Sequence, residues 1–124
     1  MPTALKVDVS TRPGRLVLTV AGELDFDTCP LVSGAVAVLP LWGRVLTVDL
    51  SAVTFMDSSG LHLLIALCRR ADREGGSLEL TGVPAQALRV LELTGAEDLF
   101  TVLPATVIPA PSARPGLPRA RRQR

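Results

Sequence analysis

The six residues from Asp57 to His62 read DSSGLH and bring an acid, two hydroxyls and an imidazole into one short stretch. Three kinds of chemistry start from such a set. Ser58 and His62 stand four apart, the spacing that puts two side chains on one helical face, so they could pair as nucleophile and base. The rest of the chain argues against this, since it has a single histidine, no GxSxG elbow and no evident acid to orient the imidazole. Alternatively, Asp49 or Asp57 in "VDLSAVTFMDSSG" could accept a phosphoryl group, but that chemistry needs an acidic pair after the first strand to hold magnesium. Here "ALKVDV" runs into the turn "STRPG" and on into a second strand. The third is phosphorylation of Ser58 or Ser59. A helix N-terminus favours anions, and a phosphate adds about 1.5 to 2 negative charges, here beside Asp57. Asp57, Ser58 and Ser59 also suit a purely structural task, because each can accept from the N–H groups that a helix leaves unpaired at its start.

The surrounding elements decide where this stretch sits. "RVLTVDL" (residues 44–50) is almost continuously apolar and reads as a central strand covered on both faces. Leu61, Leu64, Ile65, Leu67 and Cys68 alternate with Arg69, Arg70, Asp72, Arg73 and Glu74 as an amphipathic helix, stopped by Gly75 and Gly76. DSSG therefore falls between the C-terminal end of a strand and the start of a helix, where open α/β sheets place their functional loops. Upstream, Ala4 to Val9 and Leu16 to Ala21 form a hairpin around Pro13 and Gly14. Asp27 or Thr28 then caps a helix that carries Pro30, Leu31, Ala35, Val38 and Leu39 and closes at Pro40 and Gly43. Downstream, "SLELTGV" is a short strand, Pro84 opens a helix that runs to Gly95, and "AEDLFTVLP" holds a turn and an edge strand. The order β-β-α-β-α-β-α-β requires crossover connections, so the expected fold is α/β, a mixed sheet of about five strands with helices packed on it.

Composition narrows the function. The chain of 124 residues is long enough for one domain, expected over 1–103, and its core must be aliphatic because aromatic residues make up only 3%. Cys29 and Cys68 form no CxxC pair and have no histidine at ligand spacing, so neither a metal nor any other cofactor is expected. With no apolar run of spanning length, the protein is expected to be cytoplasmic and without a membrane span. The formal charge of +1 hides an asymmetry. Residues 104–124 hold five of the 13 basic residues, five of the ten prolines and no acid, whereas the preceding part has eight basic against 12 acidic residues. That segment reads as a Pro/Arg-rich, disordered tail. It lacks aromatic residues for stacking on bases, so direct nucleic-acid binding is not expected.

"GELDFDT" at 22–28, "VDLSAVTFMDSSGLHLL" at 48–64, "REGGSLELTG" at 73–82 and "ALRVLELTGAEDLF" at 87–100 together resemble the STAS family, and within it the anti-sigma-factor antagonists. The resemblance covers about residues 4 to 103. It implies a single STAS-like domain, a non-enzymatic regulator of transcription, and Ser58 as the phosphoacceptor. The unphosphorylated chain would bind an ATP-binding anti-sigma factor that is also a serine kinase, so releasing the sigma factor. Phosphorylation of Ser58 would end that binding, and a metal-dependent serine phosphatase would restore it. Asp25 and Thr28 from one loop, and Asp57, Ser58, Ser59, Gly60, Leu61 and His62 from the other, would make the partner contact. The alternative carried by the same resemblance is a STAS subunit of a membrane transport assembly. His62 is bulkier than the residue many antagonists carry there, and a final amphipathic helix usual in the family is replaced by the Pro/Arg-rich run.

Overall fold

A computed structural model describes residues 5–103; the expected tail at 104–124 lies outside the described residues. Strands β1 (Leu5–Arg12) and β2 (Arg15–Leu24) form the expected hairpin, antiparallel, with Arg12 opposite Arg15 across the Pro13–Gly14 turn. Then follow α1 (Cys29–Ala37), β3 (Val45–Met56), α2 (Ser58–Arg73), β4 (Ser77–Thr81), α3 (Ala85–Thr94), a 3₁₀ turn over Ala96–Leu99, and β5 (Thr101–Leu103). The sheet order is β1-β2-β3-β4-β5, parallel from β2 onward. This is the α/β domain with a five-stranded mixed sheet that the sequence leads one to expect.

Every parallel crossover steps to the next strand in the same direction. With the right-handed sense of such units, the three helices fall on one face of the sheet. Accordingly α2 touches both α1 and α3 as well as β3 and β4. Leu16, Leu18 and Val20 of β2, Leu46, Val48 and Leu50 of β3, and Leu78 and Leu80 of β4 are buried beneath that helical layer. From above, α2 presents Leu61, Leu64, Leu67 and Ala71. Burying each of these leucines stabilises the fold by about 1.5 to 3 kcal/mol relative to an exposed position. The opposite sheet face is polar: Arg15 pairs with Glu79, and Thr47 bonds to both, at 2.6 Å from Arg15 Nη1 and 3.0 Å from Glu79 Oε2.

Strand β3 is longer than the apolar run predicts, extending through Ser51–Met56. Its first half pairs with β2 and β4, but β4 reaches only to the Asp49–Thr81 pair. The second half pairs with β2 alone and is shifted twice in register, between Thr19 and Ala21 and between Gly22 and Glu23. Those irregularities interrupt the alternation of side chains, so a strand is present where no periodicity announces one. On the vacant side of its end, the Gln86 carboxamide replaces a strand. It accepts from Met56 N–H at 2.8 Å and donates to Met56 C=O at 2.9 Å. A primary amide carries the same donor and acceptor as a peptide, which is why it can close the ladder there.

Candidate functional site

The β2–α1 and β3–α2 loops emerge side by side because β2 and β3 are parallel neighbours, with Leu24 opposite Met56. Asp57 N–H donates to Leu24 C=O at 3.3 Å, which ties the two loops together. Asp57 is the N-cap of α2, with extended backbone, and its Oδ1 accepts from Ser59 N–H at 2.8 Å and Gly60 N–H at 3.2 Å. The Asp57 carbonyl takes Leu61 N–H at 3.2 Å. A phosphate on Ser58 therefore does not find the vacant cradle that the sequence suggests, since Asp57 already occupies it. The dipole of α2 still favours the anion.

Ser58 is the first residue of α2 and is exposed, whereas Ser59 is half-buried. Gly60 is buried at a close approach of chain to chain. A Cβ there would lie 2.8 Å from Leu24 O and 2.7 Å from Met56 Cγ, so only glycine lets α2 start against β2. Leu61 is buried in the core, as is Leu24. His62 is exposed on α2, four residues beyond Ser58 and on the same side of the helix.

In the neighbouring loop, Asp25 Oδ1 accepts from the N–H groups of Asp27 and Thr28, each at 3.1 Å. Thr28 is buried. Its hydroxyl donates to Glu23 C=O at 2.7 Å and accepts from Asp25 N–H at 2.9 Å. It stands at the N-cap of α1 without a side-chain capping bond, so the capping expected of Asp27 or Thr28 is not found; the main-chain carbonyl of Asp25 takes the Cys29 N–H at 2.9 Å. Thr28, Gly60 and Leu61 thus shape the surface from beneath, while Asp25, Asp57, Ser58, Ser59 and His62 reach it.

Cys29, at the start of α1, senses both carboxylates. Burial first, then Asp57, then Asp25 push its thiol above the ordinary value of 9.0. The two aspartates therefore act on one small region although they lie far apart in the chain. Phe26 protrudes from the same loop, 76% exposed, between Asp25 and Asp27. Sequence reasoning gave it no role; an aromatic residue set between two acids in a loop was the available signal. Among the described residues no cluster of His, Cys, Asp or Glu is placed to hold a metal ion, and no helix is long and apolar enough to cross a membrane.

A family model described as "Mlab, STAS domain" matches residues 7–104. The anti-sigma-B factor antagonist of Staphylococcus aureus (strain NCTC 8325) is 30% identical over 105 residues, covering 84% of this chain and 97% of that protein. The anti-sigma-B factor antagonist of Bacillus subtilis is 28% identical over 98 residues, covering 79% and 90%. The crystal structure of an anti-sigma factor antagonist from Mycobacterium paratuberculosis superposes with a TM-score of 0.69 at 31% identity, over 82% of this chain and 87% of that one. The chain belongs to the STAS-domain family of anti-sigma-factor antagonists. The STAS fold explains why a hairpin precedes the first crossover: β1 flanks β2, and so leaves β2 and β3 as the adjacent pair whose C-terminal ends carry the two loops. In this STAS domain those loops are held by main-chain bonds and by the side chains of Thr28 and Asp57.

Proposed function

We propose that this chain is an anti-sigma-factor antagonist switched by phosphorylation of Ser58. Unphosphorylated, it binds an anti-sigma factor that is also an ATP-dependent serine kinase, and the sigma factor is released. The kinase transfers the γ-phosphoryl group of ATP to Ser58 Oγ; a P–O bond of ATP breaks, ADP leaves and the hydroxyl proton is lost. A metal-dependent serine phosphatase returns Ser58 by hydrolysis to inorganic phosphate. The chain contributes a hydroxyl and a docking surface, and ATP and magnesium come with the kinase.

The observation that carries this reading is the exposure of Ser58 at the start of α2, beside an Asp57 whose carboxylate already takes the N–H groups of Ser59 and Gly60. A phosphate on Ser58 then faces outward, next to Asp57 and Asp25, and adds about 1.5 to 2 negative charges to an acidic patch. A partner fitted to a neutral hydroxyl at that point must bury a phosphate for which it has no counter-charge, and burying an unpaired charge costs several kcal/mol. Asp25, Ser59 and His62 complete the exposed surface, and Thr28, Gly60 and Leu61 set its shape.

The test is affinity capture with wild-type, Ser58→Ala and Ser58→Asp chains, followed by incubation of the captured partner with ATP. Wild type and Ser58→Ala are expected to retain an ATP-binding partner, Ser58→Asp to lose it, and only wild type to gain phosphate. Phosphate on Ser59 in place of Ser58 would overturn the assignment. Recovery of transport subunits by all three chains would overturn the switch itself.

A further inference from the structure

Helix α1 lies at the surface yet carries no charged residue. Its sequence is CPLVSGAVA, and Val32 and Val36 are its buried members. The other side of the helix exposes Pro30, Leu31, Gly34 and Ala37, continued by Val38, with Ser33 at the margin. A surface helix ordinarily places charged and polar residues there. Val38 is 81% exposed, and the apolar surface is prolonged by Phe26 before the helix and by Trp42, 72% exposed, after it. Large apolar side chains exposed along one helix and at both of its flanks are a feature of interfaces.

The two ends of the stripe differ in charge. Glu23, Asp25, Asp27 and Asp57 gather at the N-terminal end, and no lysine or arginine occurs between Arg15 and Arg44. At the other end Arg70 donates to the carbonyls of Val36 and Leu39, at 2.7 and 2.6 Å, and Arg44 reaches Pro40 C=O at 3.4 Å. Arg73 is exposed nearby; the acids at that end are Asp72 and Glu74, and Glu74 is paired with Arg70.

We propose that this stripe is the interface of a homodimer, in which a second copy of the chain packs its α1 antiparallel across a two-fold axis. Charge selects both the occupant and the orientation. Antiparallel pairing sets each carboxylate end against the arginine end of the other copy, whereas parallel pairing would set four carboxylates against four. Gly34 and Ala37 lie mid-stripe and let the two helix axes approach closely. The acidic end of the stripe shares Asp25 and Asp57 with the patch assigned to the partner, so self-association and partner binding compete, whereas Ser58→Ala, which changes no charge, should self-associate as wild type does.

Sedimentation of the full chain over a dilution series tests it. The wild-type mass is expected to rise from 13.1 kDa toward twice that value with concentration. Gly34→Glu places a carboxylate mid-stripe at a position where a Cβ meets nothing within 4 Å, so the variant should fold. It should raise the dissociation constant about tenfold or more, because a buried unpaired charge is costly. Val38→Glu is the second variant, with folding checked by circular dichroism. Asp27→Arg and Arg44→Glu should each weaken the dimer, and the two together should restore it. A wild-type chain that keeps the single-chain mass at every concentration would overturn the proposal. A dimer indifferent to both Gly34→Glu and Val38→Glu would do the same, as would failure of the double reversal to rescue. A monomeric wild type whose capture of an ATP-binding partner is lost in Gly34→Glu would assign the stripe to that partner instead.

Discussion

Asp57 does two things with one carboxylate: it caps α2, and it supplies charge beside Ser58. Asp57→Ala removes the bonds to Ser59 and Gly60 N–H. It is expected to cost about 1 kcal/mol, read from urea denaturation, with Asp57→Asn close to wild type because an amide oxygen also caps. Gly60→Ala is expected to cost about 1 to 3 kcal/mol, since its Cβ would press on Leu24 O and Met56 Cγ, and the strain falls where Ser58 is positioned. Cys29 offers a built-in reporter. Burial and the carboxylates of Asp57 and Asp25 push its thiol above 9.0, so the rate of alkylation by a thiol reagent should reach half of its plateau only above that pH. Asp57→Asn should bring the profile down; an unchanged profile would mean that Cys29 does not sense the site. DSSG was legible as a cap because an aspartate just before an amphipathic run puts its carboxylate within reach of the N–H groups that a helix leaves unpaired at its start. The inward turn of Thr28 was not legible, since a threonine after two acids in a loop reads equally well as a surface contact. Only the fold shows its hydroxyl bridging Glu23 C=O and Asp25 N–H.

Helices and strands with one strong period were readable from the chain. Helix α2 is an example, because Leu61, Leu64, Leu67 and Ala71 recur on one face while arginines fill the other. The second half of β3 was hidden, since its register shifts against β2 break the alternation that betrays a strand. The partner of its final residue lies 30 positions away, in Gln86, which no local pattern could connect to Met56. Gln86→Leu leaves Met56 N–H and C=O without their partner while α3 keeps its length. The expected loss is about 1 to 3 kcal/mol in chemical denaturation, together with faster hydrogen exchange at Met56 N–H. Arg70 plays a similar part for α1, whose terminal carbonyls it collects while also pairing with Glu74. From sequence it was only one of the charges on the polar side of α2.

Taken whole, the described chain is one helical layer on one sheet, and its order of elements was predictable because each crossover carried its own start and stop signals. Its response to base follows from two thiols. Burial is the first cause that raises both Cys29 and Cys68 above 9.0, so the folded chain keeps protons that the unfolded chain releases there. The contribution is complete below 9.0 and is lost as pH climbs through the higher folded values, so stability should fall with rising pH in that window alone. Both residues are only half-buried, so the slope is shallow, and a Cys29→Ser, Cys68→Ser chain should flatten it in denaturation midpoints measured either side of 9.0. The parallel pairing of β2 with β3 has a temporal meaning as well. Both loops exist in any nascent chain, but Asp25 and Asp57 become neighbours only when Leu24 and Met56 align across an intervening helix. Pairings that close long stretches of chain form late. The patch proposed for docking is therefore a certificate of completed folding, and a partner that read it would ignore chains still on the way.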